Sequence, residues 1–272
     1  MEVKNVSYKI GDNLVLNNIS LDAAEGKIIG ILGSGGSGKS SLISIMSGLN
    51  LPNDGEVIYN KSKVTSDKII GVGNLRKNVG VLYQNLDDQF FLDTVREELE
   101  FALREYKVDD IDKRVKDSLK MVGLDEEYLN KDPMKLSSGE KRLVGLSMIL
   151  SFNPKVFLLD EPLYNLDGLN RKKVIKLLKL MKNRYKKTIV IATNDSDLLL
   201  EVANRIYVLN KGKIVLEGTK YKVLKNDLTK YDINMPKIIN FNKTVNDLKG
   251  IDIGYRDNMN DLMKDIYRYV RK

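Results

Sequence analysis

Residues Gly33-Ser-Gly-Gly-Ser-Gly-Lys39-Ser40 fill every fixed position of the pattern G-x-x-x-x-G-K-[ST], directly after the apolar run IIGIL. Few sequence features restrict a fold as tightly. The pattern needs a buried strand before it and a helix after it, here from about Lys39 to Ser47 with Gly48 placed to end it. Glycines let consecutive backbone N–H groups turn inward, and the helix start adds its partial positive charge. Such a loop wraps phosphates. Gly33, Ser34, Gly35, Gly36, Ser37, Gly38, Lys39, Ser40 and Ser41 would line it. Lys39 would reach the β- and γ-phosphates, and the Ser40 hydroxyl would join a Mg²⁺ shell.

A second element strengthens the first. VFLLDEP is an apolar strand ending in Asp160-Glu161. A strand often ends in acids, but behind a phosphate loop Asp160 is placed to hold Mg²⁺. Glu161 beside it can polarise an attacking water. Composition removes the competing chemistries: there is no cysteine and no histidine, so thiolate catalysis, zinc triads and Ser-His-Asp hydrolysis are excluded. The net charge of +8 suits an anionic ligand or surface. Its densest run, from Arg171, carries Val174, Leu177, Leu178 and Met181 at helical spacing, so its lysines are expected on a solvated helix face rather than in a nucleic-acid patch.

Along the chain, residues 3–25 alternate as half-buried strands do, and 78–83 read as a further strand. Residues 94–150 are helical, with Ile111, Val115, Leu119 and Val122 on one face and EKRLVGLSMIL as a third helix. VFLL and TIVIA read as buried parallel strands, and RIYVL and KIVL as a hairpin around Asn210-Lys211-Gly212. From Thr219 the chain reads as charged and irregular, closing with Met259, Leu262, Met263, Ile266, Tyr267 and Val270 on one helical stripe. No apolar run is long enough to span a bilayer, and the first residues lack a signal-peptide pattern, so a cytoplasmic location is expected.

Between the helical stretch and the DE strand lies Leu136-Ser-Ser-Gly-Glu140. A phosphate loop, then LSxG-[EQ], then a DE strand resembles the ATP-binding-cassette (ABC) ATPases over nearly the whole chain. The resemblance implies an α/β fold: a P-loop NTPase core with a mostly parallel sheet, an N-terminal antiparallel β subdomain and a helical insert at about 94–152. It implies an ABC ATP-binding domain over 1–218 and a C-terminal extension over 219–272. It implies ATP and Mg²⁺ as ligands and a second cassette as partner. Each ATP would lie between one chain's phosphate loop and the other's signature, to which Ser137 and Gly139 contribute. Ser138 and Glu140 depart from the family's glycine and glutamine, and Ser138 adds a side chain near the phosphate.

Further residues carry over. Tyr8 matches the aromatic that stacks on adenine, although alone it would read as a strand tyrosine. Gln84 matches the glutamine that touches Mg²⁺ or water, and Asn165-Leu166-Asp167 the loop that crosses to the partner. Asn194, in TIVIATND, stands where the family has its switch histidine. Its amide still donates, but from roughly 2 Å further back, too far for a good hydrogen bond without backbone movement. The resemblance therefore implies ATP binding with slow turnover at this chain's own site, and favours a different, intact ATPase as partner over a homodimer.

QNLDDQFF (84–91) looks like the QNPDDQ stretch of energy-coupling factor (ECF) ATPases, with Leu86 for proline, and the segment including Ile233-Asn-Met-Pro236 is similar to their C-terminal extension. This narrower likeness implies a peripheral protein at the cytoplasmic face of the membrane, coupled to a transmembrane importer subunit for vitamin or metal uptake, with no nucleic-acid partner. Asp87 and Asp88 would be acidic contacts for that subunit or simply a solvated loop. The closing stripe would serve the dimer interface or pack on its own domain. The alternatives are a soluble ABC ATPase acting on ribosomes or DNA, and a catalytically weak regulatory partner.

Overall fold

The N-terminal alternation folds as a hairpin, β1 (Glu2–Ile10) against β2 (Asn13–Asp22), with Tyr8 opposite Leu16. The computed structural model describes residues 1–249 and 259–270. The chain continues through β3 (Ile28–Leu32), α1 (Lys39–Ser47), β4 (Asp54–Tyr59), β5 (Ser62–Val64), β6 (Ile69–Ile70), α2 (Val72–Asn78) and β7 (Val79–Leu82). Next come α3 (Val95–Glu105), α4 (Ile111–Val122) and α5 (Ser138–Phe152), which pack on one another. Then β8 (Val156–Asp160), α6 (Gly168–Asn183), β9 (Thr188–Thr193), α7 (Ser196–Val202), β10 (Arg205–Asn210) and β11 (Lys213–Thr219) follow. The chain closes with α8 (Lys220–Leu224), α9 (Lys237–Lys249) and α10 (Met259–Val270).

Two sheets organise these elements. One is antiparallel, in the order β2-β1-β4-β5-β6; the other runs β11-β10-β3-β9-β8-β7, parallel from β10 to β7 with β11 antiparallel at its edge. The phosphate-loop strand β3 is central, between β10 and β9. Side chains alternate across a strand, and the core divides accordingly. Ile28, Leu32, Phe157, Leu159, Ile189 and Ile191 face the larger cluster with the helical insert. Ile29, Ile31, Leu158, Val190 and Ala192 face α1 and the antiparallel sheet. Burial on both faces explains why these strands are unbroken apolar runs. Each fully buried Leu or Ile contributes about 1.5–3 kcal/mol.

The class expected from the sequence, α/β with a parallel core, an antiparallel β part and a helical insert, is the architecture seen. On α6, Val174, Leu177, Leu178 and Met181 are buried and Lys172, Lys173 and Lys176 are exposed, as the spacing requires. One expectation fails. The segment between Thr219 and the closing stripe is not irregular throughout, since it holds α8 and α9, while the stripe itself is the helix α10, as its spacing requires. In α9 the inward positions are Ile238, Ile239 and Asn242, all buried; a polar residue at the third inward position hides the period. In the closing stripe, Leu262 is buried and Ile266 packs on the same core, while Met263 and Tyr267 are exposed. Met259 and Val270 have side chains outside the described ones.

Candidate nucleotide site

β3 delivers the phosphate loop to the ends of the parallel strands. The loop is anchored by Gly33 N–H, which donates to Thr193 O at 3.2 Å, and by the turn bond from Ser37 N–H to Ser34 O at 3.3 Å. Gly38, just before α1, has φ +105, and a Cβ there would lie 2.8 Å from Leu16 Cδ2 and 3.1 Å from Val15 O. Only glycine meets both demands. Leu16 is in turn the cross-strand neighbour of Tyr8, so Tyr8 lies one strand from the loop, half-buried.

Lys39 is 8% exposed, and its ammonium donates to the carbonyls of Gly33 and Ser34, at 2.8 and 2.9 Å. Burial lowers its pKa, against the opposing pull of Glu161 and Asp160. Asp160, at the end of β8, is 1% exposed. Among the described residues neither of its oxygens has a hydrogen-bond partner of standard geometry, although the Ser40 hydroxyl lies close enough to favour the ionised form. Burial wins, and its carboxyl is pushed above the usual range. An orphaned buried carboxylate beside a hydroxyl and an ammonium is a costly arrangement for a fold on its own. It fits a cation that arrives with its ligand.

Glu161 follows at φ +47, left-handed backbone that a non-glycine residue holds only under constraint. Its N–H donates to Ala192 O at 2.8 Å. Its carboxylate accepts the Thr193 hydroxyl at 2.7 Å and the Asn194 backbone N–H at 2.9 Å. The Asn194 side chain is exposed. Gly33–Ser41, Asp160, Glu161 and Asn194 are thus one cluster at the ends of β3, β8 and β9.

Gln84 begins the loop after β7 and is exposed. Gln89 shapes that loop by accepting from Tyr83 N–H at 3.3 Å and donating to Val81 O at 3.1 Å. Asp87 pairs with Lys141 at 2.5 Å, and Asp88 accepts from Asn85 at 2.6 Å. Both acids therefore have partners within the chain.

Ser137 and Gly139 sit elsewhere, at the start of α5. They line a cleft of about 480 Å³ with Tyr128, Asn165, Leu166 and Asp167. Ser137 caps the helix: its hydroxyl accepts from Glu140 N–H at 3.3 Å, and Glu140 accepts from Ser137 N–H at 2.9 Å. The Ser137 and Tyr128 hydroxyls also reach Glu140, each at 2.6 Å. They hold its carboxyl down at about 2, and Glu140 in return holds the Tyr128 phenol up at about 12. A Cβ at position 139 would lie 3.0 Å from Asn165 O, so the signature and the Asn165–Asp167 loop are in close contact.

Sequence reading missed Thr193, Tyr128 and Gln89. The first is flagged only by its place beside Asn194. The other two act on residues 12 and up to 8 positions away through the fold.

A protein-family model described as ABC transporter matches residues 16–164. The energy-coupling factor transporter ATP-binding protein EcfA of Methanococcus maripaludis is 35% identical over 276 residues, covering 97% of this chain and 98% of the relative. The energy-coupling factor transporter ATP-binding protein EcfA2 of Clostridium perfringens is 34% identical over 84% of this chain and 81% of its own length. Among solved structures, a dimeric bacterial ABC transporter cassette superposes with TM-score 0.72 at 30% identity, over 80% of this chain and 98% of that one. The same cassette has been solved in a post-hydrolysis state with ADP and Pi. CbiO1 of Clostridium perfringens, described as part of the ABC transporter complex cbiONQ, superposes with TM-score 0.71 at 29% identity, over 91% and 94%. This chain therefore belongs to the ABC transporter family, as an ABC-type ATPase similar to the ATP-binding proteins of energy-coupling factor transporters.

Proposed function

We propose that this ATPase drives an ECF-type importer, as a peripheral subunit on the cytoplasmic face of the membrane, paired with a second ATPase and coupled to a transmembrane subunit for vitamin or metal uptake. The observation that carries the pairing is the separation of the two half-sites. The phosphate loop lies at the ends of the parallel strands, and Ser137 and Gly139 open a different cleft. A second chain facing the first would bring such a signature to each phosphate loop. We read 1–218 as the ATP-binding domain and 219–272 as an extension that supports pairing. Among the described residues no helix is long and apolar enough to cross a membrane, in keeping with a peripheral role.

Within this reading, the loop amides and Lys39 bind the β- and γ-phosphates, and Tyr8 stacks on the adenine. Ser40, Asp160 and Gln84 would hold Mg²⁺. Among the described residues no group of three or more His, Cys, Asp or Glu side chains could hold an ion. A cation here must take most of its ligands from phosphate and water, as Mg²⁺ does. When bound it would neutralise charge developing on the phosphates. Glu161 orients the attacking water. Asn194 stands at the switch position, which faces the γ-phosphate, with a short side chain, and loss of one positioned donor typically costs on the order of 10²–10³ in rate. Own-site hydrolysis is therefore slow, and a different ATPase as partner would supply the faster site, using Ser137 and Gly139 from this chain.

The test is isolation of the tagged chain from membranes with mild detergent. A transmembrane subunit and a second, different ATPase should copurify. Recovery from the soluble fraction with ribosomes or DNA instead would overturn the importer reading.

A further inference from the structure

Arg142 has no part in the chemistry described so far, yet it is 3% exposed. It lies in the second turn of α5, five residues after the cap Ser137. Its hydrogen-bond partners are backbone carbonyls. Nη1 donates to Tyr83 O at 2.8 Å and, more weakly, to Asp160 O at 3.4 Å; Nη2 donates to Gln84 O at 2.7 Å. Its Nε has no partner among the described residues. Burying a cation whose hydrogen-bond partners are all neutral is costly. Burial lowers the Arg142 pKa, and the nearby Asp160, Glu161 and Tyr164 pull the other way. Packing alone does not call for a guanidinium here, since Leu143, Val144 and Leu146 already bury the helix. One turn further on, Gly145 lets the preceding strand and its loop press against α5. A Cβ there would lie 2.8 Å from Leu82 Cδ1 and 3.1 Å from Leu86 Cδ2.

Three segments meet at this side chain. One is the loop that presents Gln84, one is the strand end that presents Asp160, and one is the helix whose first turn holds Ser137 and Gly139. We infer that Arg142 is a positioning residue that fastens the Gln84 loop and the Asp160 strand end to α5, so that nucleotide at this chain's own phosphate loop sets the orientation of the signature it offers to the other site. The inference rests on the proposed roles of Gln84, Asp160 and the signature. A flexible or apolar side chain would leave the three segments free to move separately. The fixed fork of the guanidinium holds two consecutive carbonyls at once, which an ammonium cannot match.

The test uses the purified full chain at concentrations where it is monomeric, so that no partner signature contributes. Backbone hydrogen exchange is followed at 33–41, 83–90 and 137–146, with and without MgATP. In the wild type, MgATP should slow exchange in all three segments. In Arg142→Gln, 33–41 should still be protected and the response at 137–146 should vanish. Under dimer-forming conditions the same variant should keep KM within about threefold while kcat falls at least tenfold. Arg142→Lys, the milder change, should restore part of both, and it stands in if the glutamine variant does not fold. An undiminished response at 137–146 in either variant, or equal losses in kcat and MgATP affinity, would overturn the inference. Absence of protection at 33–41 in the wild type would instead overturn the nucleotide-site reading on which it rests.

Discussion

The Thr193 hydroxyl donates to Glu161 Oε2 at 2.7 Å, while the backbone N–H of Asn194 holds the other carboxylate oxygen at 2.9 Å. The pose of Glu161 is thus fixed by a neighbour and by the main chain, not by the side chain at position 194. The same Thr193 hydroxyl accepts from Asp195 N–H at 3.0 Å, so one buried atom organises both ends of the turn.

Thr193→Val keeps the shape and removes that atom. MgATP affinity should stay within about threefold while kcat falls about tenfold, equivalent to ~1.4 kcal/mol of barrier. Stability should drop by about 1 kcal/mol, because Asp195 N–H loses its acceptor. ATP titration, phosphate release and urea denaturation measure the three effects. An unchanged kcat would show that Glu161 needs no such anchor.

Asp160→Asn should separate stability from function. The folded-state pKa of Asp160 is raised, so its contribution to stability is fully present below the unfolded value of 3.8 and is lost as pH rises through the folded value. At neutral pH the buried carboxyl is a cost, because the unfolded chain ionises more readily than the folded one. The variant should therefore melt at a higher temperature than the wild type at pH 7, and the gap should close toward pH 4. Mg²⁺ should no longer strengthen ATP binding, and hydrolysis should fall by about 100-fold or more. A lower melting temperature at pH 7 would mean that the orphaned oxygens are satisfied in solution.

Lys39→Ala removes the ammonium that bridges the Gly33 and Ser34 carbonyls and would meet the phosphates. Loss of charge-assisted hydrogen bonds worth ~3 kcal/mol predicts ATP binding about 100-fold weaker. Titration with a fluorescent ATP analogue checks this.

Much of the site was legible because its residues are contiguous. Gly33–Ser40, Asp160-Glu161 and Ser137–Glu140 are short words, each placed by the strand or helix beside it. Arg142 was not legible, because its meaning depends on carbonyls 58 and 59 positions away. A basic residue following LSSGEK reads as one more exposed charge until β7 and its loop fold over α5. Thr193 reads in the sequence as the first polar residue after the apolar run TIVIA, and only the turn that brings Glu161 back shows what its hydroxyl does. In the C-terminal segment, Asn242 broke the apolar period and α9 was lost to view, although Ile238 and Ile239 reach the core.

The signature cap carries its own pH dependence. The Ser137 hydroxyl first, then that of Tyr128, hold Glu140 down at about 2. A depressed carboxyl gives stability that is present above the unfolded value of 4.5 and is lost as pH falls toward 2. Tyr128, raised to about 12, adds an alkaline limb: stability is lost as pH rises from 10 through 12. Thermal melts from pH 6 to 3 should fall less steeply for Glu140→Gln than for the wild type. Parallel curves would contradict the linkage.

On the proposed reading, this chain binds MgATP well at its own phosphate loop and cleaves it slowly because Asn194 is short. The direct measurement is single-turnover hydrolysis by the purified chain, at saturating protein, for the wild type and Asn194→His. Both should bind MgATP with affinities within about threefold, and the substitution should raise the cleavage rate by one to two orders of magnitude, a large part of what one positioned donor supplies. Fast cleavage by the wild type, with no gain from Asn194→His, would show that the short side chain does not limit hydrolysis.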